Sequence, residues 1–178
     1  SDGTVQLRPG ELVDHSHRVA LRAVGDTLKL TLLRERKRLE VEVVLQRPTL
    51  LVPEDQYDVK PTYYVFGGLL FAPLTRDYLK SWGSEWWKAA PNELVSIYEN
   101  QIRTPERRDV VILQKVLADR VNQGYHEHEN HVVVAIDGVP VRSMVELVEL
   151  IDGGTGTFVS VHLADGQRLV LERSKARD

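Results

Sequence analysis

The chain contains no cysteine. Disulfide staples, thiolate nucleophiles and cysteine-based zinc or iron–sulfur sites are therefore excluded, while the redox compartment stays open. It also lacks a basic excess, with 23 Lys and Arg against 26 Asp and Glu and a formal charge of −3. Nucleic-acid binders draw most of their affinity from phosphate neutralisation, so that partner class is not expected. No stretch approaches the ~18 uninterrupted apolar residues of a membrane-spanning helix. Ser1 to Gly10 has no basic stretch followed by an apolar one, so no signal peptide is expected there. None of the serines sits in a glycine elbow of the Gly-x-Ser-x-Gly type. What remains is 178 residues, 42% hydrophobic and 28% charged, the balance of a globular protein.

Residues 1–46 form the first segment. Val19, Leu21, Ala23 and Val24 give an imperfect helical stripe, with Asp14 or Ser16 as N-cap and Gly25 as stop. Two period-2 runs come next. Leu28, Leu30 and Leu32 alternate with Lys29 and Thr31, and Leu39, Val41 and Val43 alternate with Glu40 and Glu42, which predicts a β-hairpin with one buried face. One helix and one hairpin in about 46 residues bury too little surface to fold alone, so the segment is expected to be part of a larger domain or docked on the rest. Residues 47–60, with Pro48, Pro53, Glu54, Asp55, Asp58 and Lys60, read as a linker.

Residues 61–178 read as a complete domain. Leu74 to Gln101 is helix-rich, and Trp82 and Trp86 stand four apart, as on one helical face. Val110 to Leu117 and Val132 to Ile136 are apolar strands, the second closed by Asp137-Gly138. Ser143 and Glu146 form a capping box for a helix whose face is Met144, Leu147, Val148 and Ile151, with Gly153 as its end. Phe158 to Leu163 and Arg168 to Leu171 form a last hairpin around Asp165-Gly166. Strand, helix and hairpin succeed one another both here and in residues 1–46, a weak internal repeat whose first copy lacks its front half.

The pair Gly67-Gly68, inside Phe66 to Phe71, carries the most chemistry. Two glycines let the main chain turn so that its N–H groups converge on an anion, such as a peptide carboxylate. The apolar residues just after the pair would bond with an extended ligand, and the helix from Met144 would wall the other side. The plainer reading is that the pair only permits a bulge or a close backbone crossing.

The strings Tyr64-Val65-Phe66-Gly67-Gly68-Leu69-Leu70-Phe71-Ala72-Pro73-Leu74-Thr75, Val116-Leu117-Ala118-Asp119, Asn122-Gln123-Gly124-Tyr125, Asp137-Gly138 and Leu147-Val148-Glu149-Leu150 resemble the last PDZ domain of HtrA/Deg-type serine proteases. Residues 2–45 resemble the back half of the preceding PDZ domain, through Asp2-Gly3-Thr4, Arg8-Pro9-Gly10-Glu11 and Gly25-Asp26. The resemblance implies an α+β, PDZ-like partly open barrel or sandwich with a helical insert at about 74–101, preceded by a partial PDZ. It implies a non-catalytic peptide-binding and regulatory module of a protease whose Gly-Asn-Ser-Gly-Gly string is absent here. The implied peptide site is Gly67, Gly68 and Leu69 as loop donors, Leu69, Leu70 and Phe71 as the augmenting strand, and Met144 and Val148 on the helix. The implied partners are peptide or unfolded-protein segments, the parent protease domain and further copies of the chain, with no cofactor. The bacterial periplasm or cell envelope is the compartment it favours. The alternative is a structural, oligomer-forming module whose groove is closed by the insert or by the Tyr57 to Tyr64 segment.

Other clusters carry less. His126, His128 and His131 could bind zinc or nickel, the basis of a third reading as a metal enzyme, though a polar loop explains them as well. Asp14-His15-Ser16-His17 contains the three triad residue types, but neighbours in sequence cannot converge as a triad, and helix capping accounts for them. Arg103, Arg107 and Arg108, interleaved with Glu106 and Asp109, read as a solvated loop. Gly153-Gly154-Thr155-Gly156 lacks the lysine of a phosphate loop.

Overall fold

The computed structural model describes residues 4–8 and 10–177, with the side chains of residues 4–7, 15, 17 and 18 left aside. Asp2, Gly3 and Pro9, which take part in the resemblance, lie outside the described residues, as do the side chains of His15 and His17. The chain divides into two compact units, Ser1–Pro48 and Thr49–Asp178.

In the first unit, β1 (Thr4–Arg8) pairs antiparallel with β2 (Glu11–Asp14). Helix α1 (His15–Ala20) comes next, its first turn closed by the Ser16 amide donating to Asp14 Oδ1 at 2.8 Å. The helix is shorter than the stripe to Val24 predicts. Its continuation is diverted because Asp26 Oδ2 takes the Ala23 amide at 3.0 Å and Gly25 N–H goes to Leu45 O at 2.8 Å. The hairpin of β3 (Thr27–Arg34) and β4 (Lys37–Val44) registers Leu28 with Val43, Leu30 with Val41 and Leu32 with Leu39. All six side chains thus share one apolar face, but that face is not buried as expected: Leu30, Leu32, Leu39 and Val43 are exposed.

In the second unit, β5 (Tyr64–Phe66), β6 (Leu69–Pro73), β7 (Val111–Val116), β8 (His131–Ile136), β9 (Val139–Pro140), β10 (Phe158–Leu163) and β11 (Arg168–Glu172) form an antiparallel sheet. The order is β11-β10-β8-β7-β6-β5, with β9 beside β8. The sheet is open rather than closed into a barrel: β5 and β11 are its two ends. Helix α5 (Met144–Gly153) lies between β9 and β10 in sequence. The succession β8, β9, α5, β10, β11 repeats that of β1, β2, α1, β3, β4.

Two cores share this sheet. On one face Met144, Leu147 and Ile151 of α5 pack with Leu69, Phe71, Val111, Leu113 and Val161. On the other, Leu74, Leu79, Trp86, Leu94 and Ile97 of the insert pack with Val110, Ile112 and Val132. Alternation along β7 sends Val111 and Leu113 one way and Ile112 the other, which is why the strand reads as one unbroken apolar run.

The insert is α2 (Arg76–Leu79), a 3₁₀ turn Lys80–Trp82, α3 (Trp86–Ala89) and α4 (Asn92–Asn100). Gly83, at φ +99°, breaks the helix between Trp82 and Trp86, so the two do not share one helical face. Trp82 instead packs edge-on to Tyr78, while the buried Trp86 packs edge-on to Tyr98. The stretch read as a linker belongs in large part to this core. Leu51 and Val52 are 1% exposed within it, Arg76 N–H donates to Pro53 O at 3.1 Å, and Lys80 Nζ sits 2.5 Å from Asp55 Oδ1. Proline and charge mark the absence of a helix or strand there, not the absence of packing.

Candidate functional site

Gly67 and Gly68 have φ of +53° and +75°. Positive φ at both central positions is the geometry of a two-residue hairpin turn that matches the twist of its strands. The turn joins β5 to β6 in the register Phe66 with Leu69, Val65 with Leu70 and Tyr64 with Phe71. On its other side β6 pairs with β7, Leu69 opposite Val116 and Phe71 opposite Leu113, with a bulge between Leu70 and Phe71. Leu69, Leu70 and Phe71, read as an augmenting strand, are thus flanked on both edges.

The turn is held from below by Asn122, whose side chain is wholly buried. Its Nδ2 donates to Gly67 O at 2.8 Å and to Leu117 O at 2.7 Å, and its Oδ1 accepts from Asp119 N–H at 3.2 Å. Leu117 N–H donates to Gly68 O at 2.8 Å. A Cβ on Gly68 would stand 2.4 Å from Asn122 Nδ2 and 2.5 Å from Leu117 O, so only glycine fits. Gly67 N–H donates to Ala176 O at 3.0 Å. One of the three donors assigned to a visiting carboxylate, the Gly67 amide, is therefore engaged within the molecule. Asn122 is the residue that sequence reasoning missed. Its string carries part of the resemblance, but nothing local signals a buried amide serving three main-chain groups.

Strand β5 is also tied to α5. Tyr64 Oη donates to Asp152 Oδ1 at 2.7 Å. Burial, with the adjacent Asp152 carboxylate, raises the Tyr64 phenol well above its ordinary range. Phe66 is 3% exposed in the α5-side core, and Tyr64 packs half-buried against it. Of the two helix positions expected to face a ligand, Met144 is mostly core, at 5% exposure, and Val148 packs half-buried against that core. A 640 Å³ cavity remains beside the arm that leads into β5, walled by Leu70 and Ala72 of β6, Met144 and Val145 of α5, and Val59 and Tyr63 of that arm. Val145, not Val148, joins Met144 in that wall. The helical insert packs mainly in the opposite core, but its first residues, Leu74, Thr75, Asp77 and Tyr78, also line this cavity.

Helix α5 is fixed at both ends. Ser143 Oγ accepts the Glu146 amide at 3.3 Å, as the capping box requires. The Glu146 carboxylate reaches back one residue further than predicted, to Arg142 N–H at 3.0 Å, and pairs with Arg108 at 2.7 Å. Burial works against its charge, but the Arg142 hydrogen bonds and the two guanidinium charges prevail and hold its pKa below the ordinary value. The arginines read as a solvated loop are thus individually engaged: Arg108 with Glu146, Arg103 with Asp109 at 3.5 Å, and Arg107, half-buried, with Gln101 at 2.6 Å. At the other end Arg173, 5% exposed, donates to Ile151 O, to Gly156 O at 3.0 Å and to Asp137 Oδ2 at 2.9 Å. A cation at a helix C-terminus complements its dipole.

The histidines do not converge. His126 is exposed, the His128 and His131 rings are 6.3 Å apart, and His131 bonds Glu129 O at 2.9 Å and Asp165 Oδ2 at 3.2 Å. Among the described residues no group of three His, Asp or Glu side chains is placed to hold a metal ion.

A family model described as PDZ domain matches residues 52–178. The chain belongs to the PDZ domain family. It is 30% identical to Protease Do-like 4, mitochondrial, of Arabidopsis thaliana over the whole of this chain and 32% of that protein. It is 28% identical to Protease Do-like 2, chloroplastic, of the same plant, over 97% of this chain and 28% of that protein. It is 26% identical to the Serine protease DegP homolog of Plasmodium falciparum (isolate 3D7), over 85% of this chain and 17% of that protein. The chain thus spans about a third, or less, of the length of these relatives. It is the PDZ portion alone: no protease domain and no Gly-x-Ser-x-Gly string lies within it. Among the described residues no helix is long and apolar enough to cross a membrane.

Proposed function

We propose that this chain is the regulatory PDZ portion of a Do-like serine protease, and that its peptide groove is kept shut by its own strand. The observation that carries this is the antiparallel register of Tyr64, Val65 and Phe66 on the edge of β6. An extended peptide binding by strand addition would need that edge, with its side chains against α5. Strand β5 meets both requirements: it pairs with β6 and reaches α5 through Tyr64 and Asp152. Peptide recognition by this domain then means exchange of one strand for another. The apparent affinity is the intrinsic affinity scaled by the fraction of molecules in which β5 has left. The parent's substrates would be extended or unfolded segments long enough to compete with β5.

Residues 1–48, with the element order of the second half of the second unit, are read as the trailing half of a preceding PDZ domain. The same closed groove favours a second reading, in which the domain serves only as a structural, oligomer-forming module.

Fluorescence anisotropy with a pool of labelled extended peptides separates the two. Tyr64→Ala removes the Asp152 bond and half-buried ring contacts, and should strengthen peptide binding at least tenfold. Adding Val145→Lys, at an exposed position in the cavity wall, should abolish it with the melting temperature kept. If neither the wild type nor Tyr64→Ala binds while both stay folded, strand exchange is refuted. Size exclusion with light scattering over a range of concentrations then tests the oligomer reading.

A further inference from the structure

The segment after β11 adopts one short helix, α6 (Arg173–Ala176). Its first residue is fixed. Arg173 is buried, fills the space where Gly154 could carry no side chain, and bonds three separate parts of the domain. A Cβ on Gly154 would lie 2.2 Å from Arg173 Nη2. The residues beyond Arg173 are held differently. Ser174, Lys175 and Arg177 are exposed, and the one apolar contact is the half-buried methyl of Ala176, which packs against the edge of the α5-side core. Two hydrogen bonds tie this stretch to other elements. Ala176 O accepts from Gly67 N–H at 3.0 Å, and Arg177 Nη2 donates to Asp152 O at 2.7 Å. Both land on the groove: the first on its turn, the second on the residue that also holds Tyr64. The Ala176 methyl stands 2.9 Å from where a Cβ on Gly67 would be, so the stretch lies directly against the turn.

We propose that residues 174–177 are a releasable latch on the Gly67-Gly68 turn, hinged at the fixed Arg173, and that their release exposes the Gly67 amide to a carboxylate-bearing peptide end. The proposal rests on the PDZ reading above and adds a second closure to that of β5. The contrast in anchoring carries it. A buried three-way guanidinium contact opens only with the fold, whereas three exposed residues and one half-buried alanine on two hydrogen bonds open locally at low cost. The amide exposed by that opening stands in a positive-φ turn, whose N–H groups suit an anion. The side chain of Lys175 is engaged with Glu172 at 2.6 Å, on its own side of the latch.

The test removes the latch and keeps its hinge. A chain ending at Ser174 is compared with the full chain by hydrogen exchange of individual amides, monitored by NMR. Gly67 should exchange at least tenfold faster in the shortened chain, with Leu113 and Val161 in the core unchanged. Unchanged exchange at Gly67 would overturn the latch. Equal acceleration at Gly67, Leu113 and Val161 would also overturn it, because residues 175–178 would then hold up the whole fold. Arg177→Ala in the full-length chain should give a smaller acceleration confined to Gly67. The second measurement uses labelled Thr-Tyr-Tyr-Val-Phe, the sequence of residues 62–66, with either a free or an amidated end. The free acid should bind the shortened chain at least fivefold more tightly than the full chain, and the amide should show no such gain. Fast exchange at Gly67 with no binding of either peptide would uphold the latch and refute peptide recognition.

Discussion

Replacing Gly68 by alanine should be among the most damaging single-methyl changes available in this domain. Gly68 has φ +75°, where an L side chain costs about 1–2 kcal/mol. The added Cβ would also lie 2.5 Å from the carbonyl oxygen of Leu117, a main-chain atom that cannot turn aside, and 2.4 Å from Asn122 Nδ2. Relieving that contact displaces the buried amide and strands Gly67 O and Leu117 O, at about 1–3 kcal/mol for each buried group left unpaired. The sum is about 3–8 kcal/mol, a large part of the ~5–15 kcal/mol by which a domain is stable. At about 3 °C per kcal/mol for a domain of this size, the melting temperature should fall by about 9 °C or more. Gly67 makes the internal control. It too has positive φ, but its Cβ would meet only side-chain atoms, the Ala176 methyl at 2.9 Å and Val121 Cγ2 at 3.0 Å, and no main-chain atom, so Gly67→Ala should cost less, about 1–2 kcal/mol. Urea unfolding monitored by tryptophan fluorescence measures both, since Trp82, Trp86 and Trp87 all lie in the second unit. Equal losses for the two alanines, or a mild loss at Gly68, would refute the argument that Asn122 and Leu117 press on the turn.

Asn122→Ala should cost about 3 kcal/mol and be strongly non-additive with Gly68→Ala, because both changes break one network; a thermodynamic cycle by urea unfolding checks it. Arg173→Ala should cost about 3 kcal/mol by stripping the end of α5 and Asp137 of their shared donor, and Arg173→Lys should recover only a fraction, since an ammonium cannot span three acceptors. Glu146 has a folded pKa below its ordinary value, so its stabilisation is present above that ordinary value and is lost as the pH falls through the folded one. Between pH 7 and pH 3 the melting temperature of the wild type should fall further than that of Glu146→Gln, and parallel curves would contradict the assignment. Trp86→Ala should cost about 3–5 kcal/mol by opening a cavity in the insert-side core, read by the same urea titration.

Much of the architecture is legible where side chains repeat with a period. The hairpin of β3 and β4 comes from alternation, and α5 from its capping serine and four apolar positions. The failures have local causes. The stripe ending at Val24 has a helical spacing, but Asp26 and Leu45 compete for the amides that would have continued the helix. Leu51 and Val52 sit among prolines and acids, and nothing in that stretch says they reach a core built mainly from residues 74–132. The candidate site shows the harder case. Two consecutive glycines suit an anion nest and a tight hairpin turn alike, since both need positive φ. What decides between them is the partner of the Gly67 amide, and that partner, Ala176, is remote in sequence. Main-chain acceptors carry no residue-type signature, so this contact could not be read in advance.

The double cover on β7 has an architectural consequence. Residues 74–101 resemble an ornament slipped between two strands of a familiar scaffold, yet they roof Val110, Ile112 and Val132. Cutting them out to obtain a minimal domain would not restore a simpler ancestor. It would bare a greasy back wall, and the trimmed protein should stick to itself before any groove could be assayed.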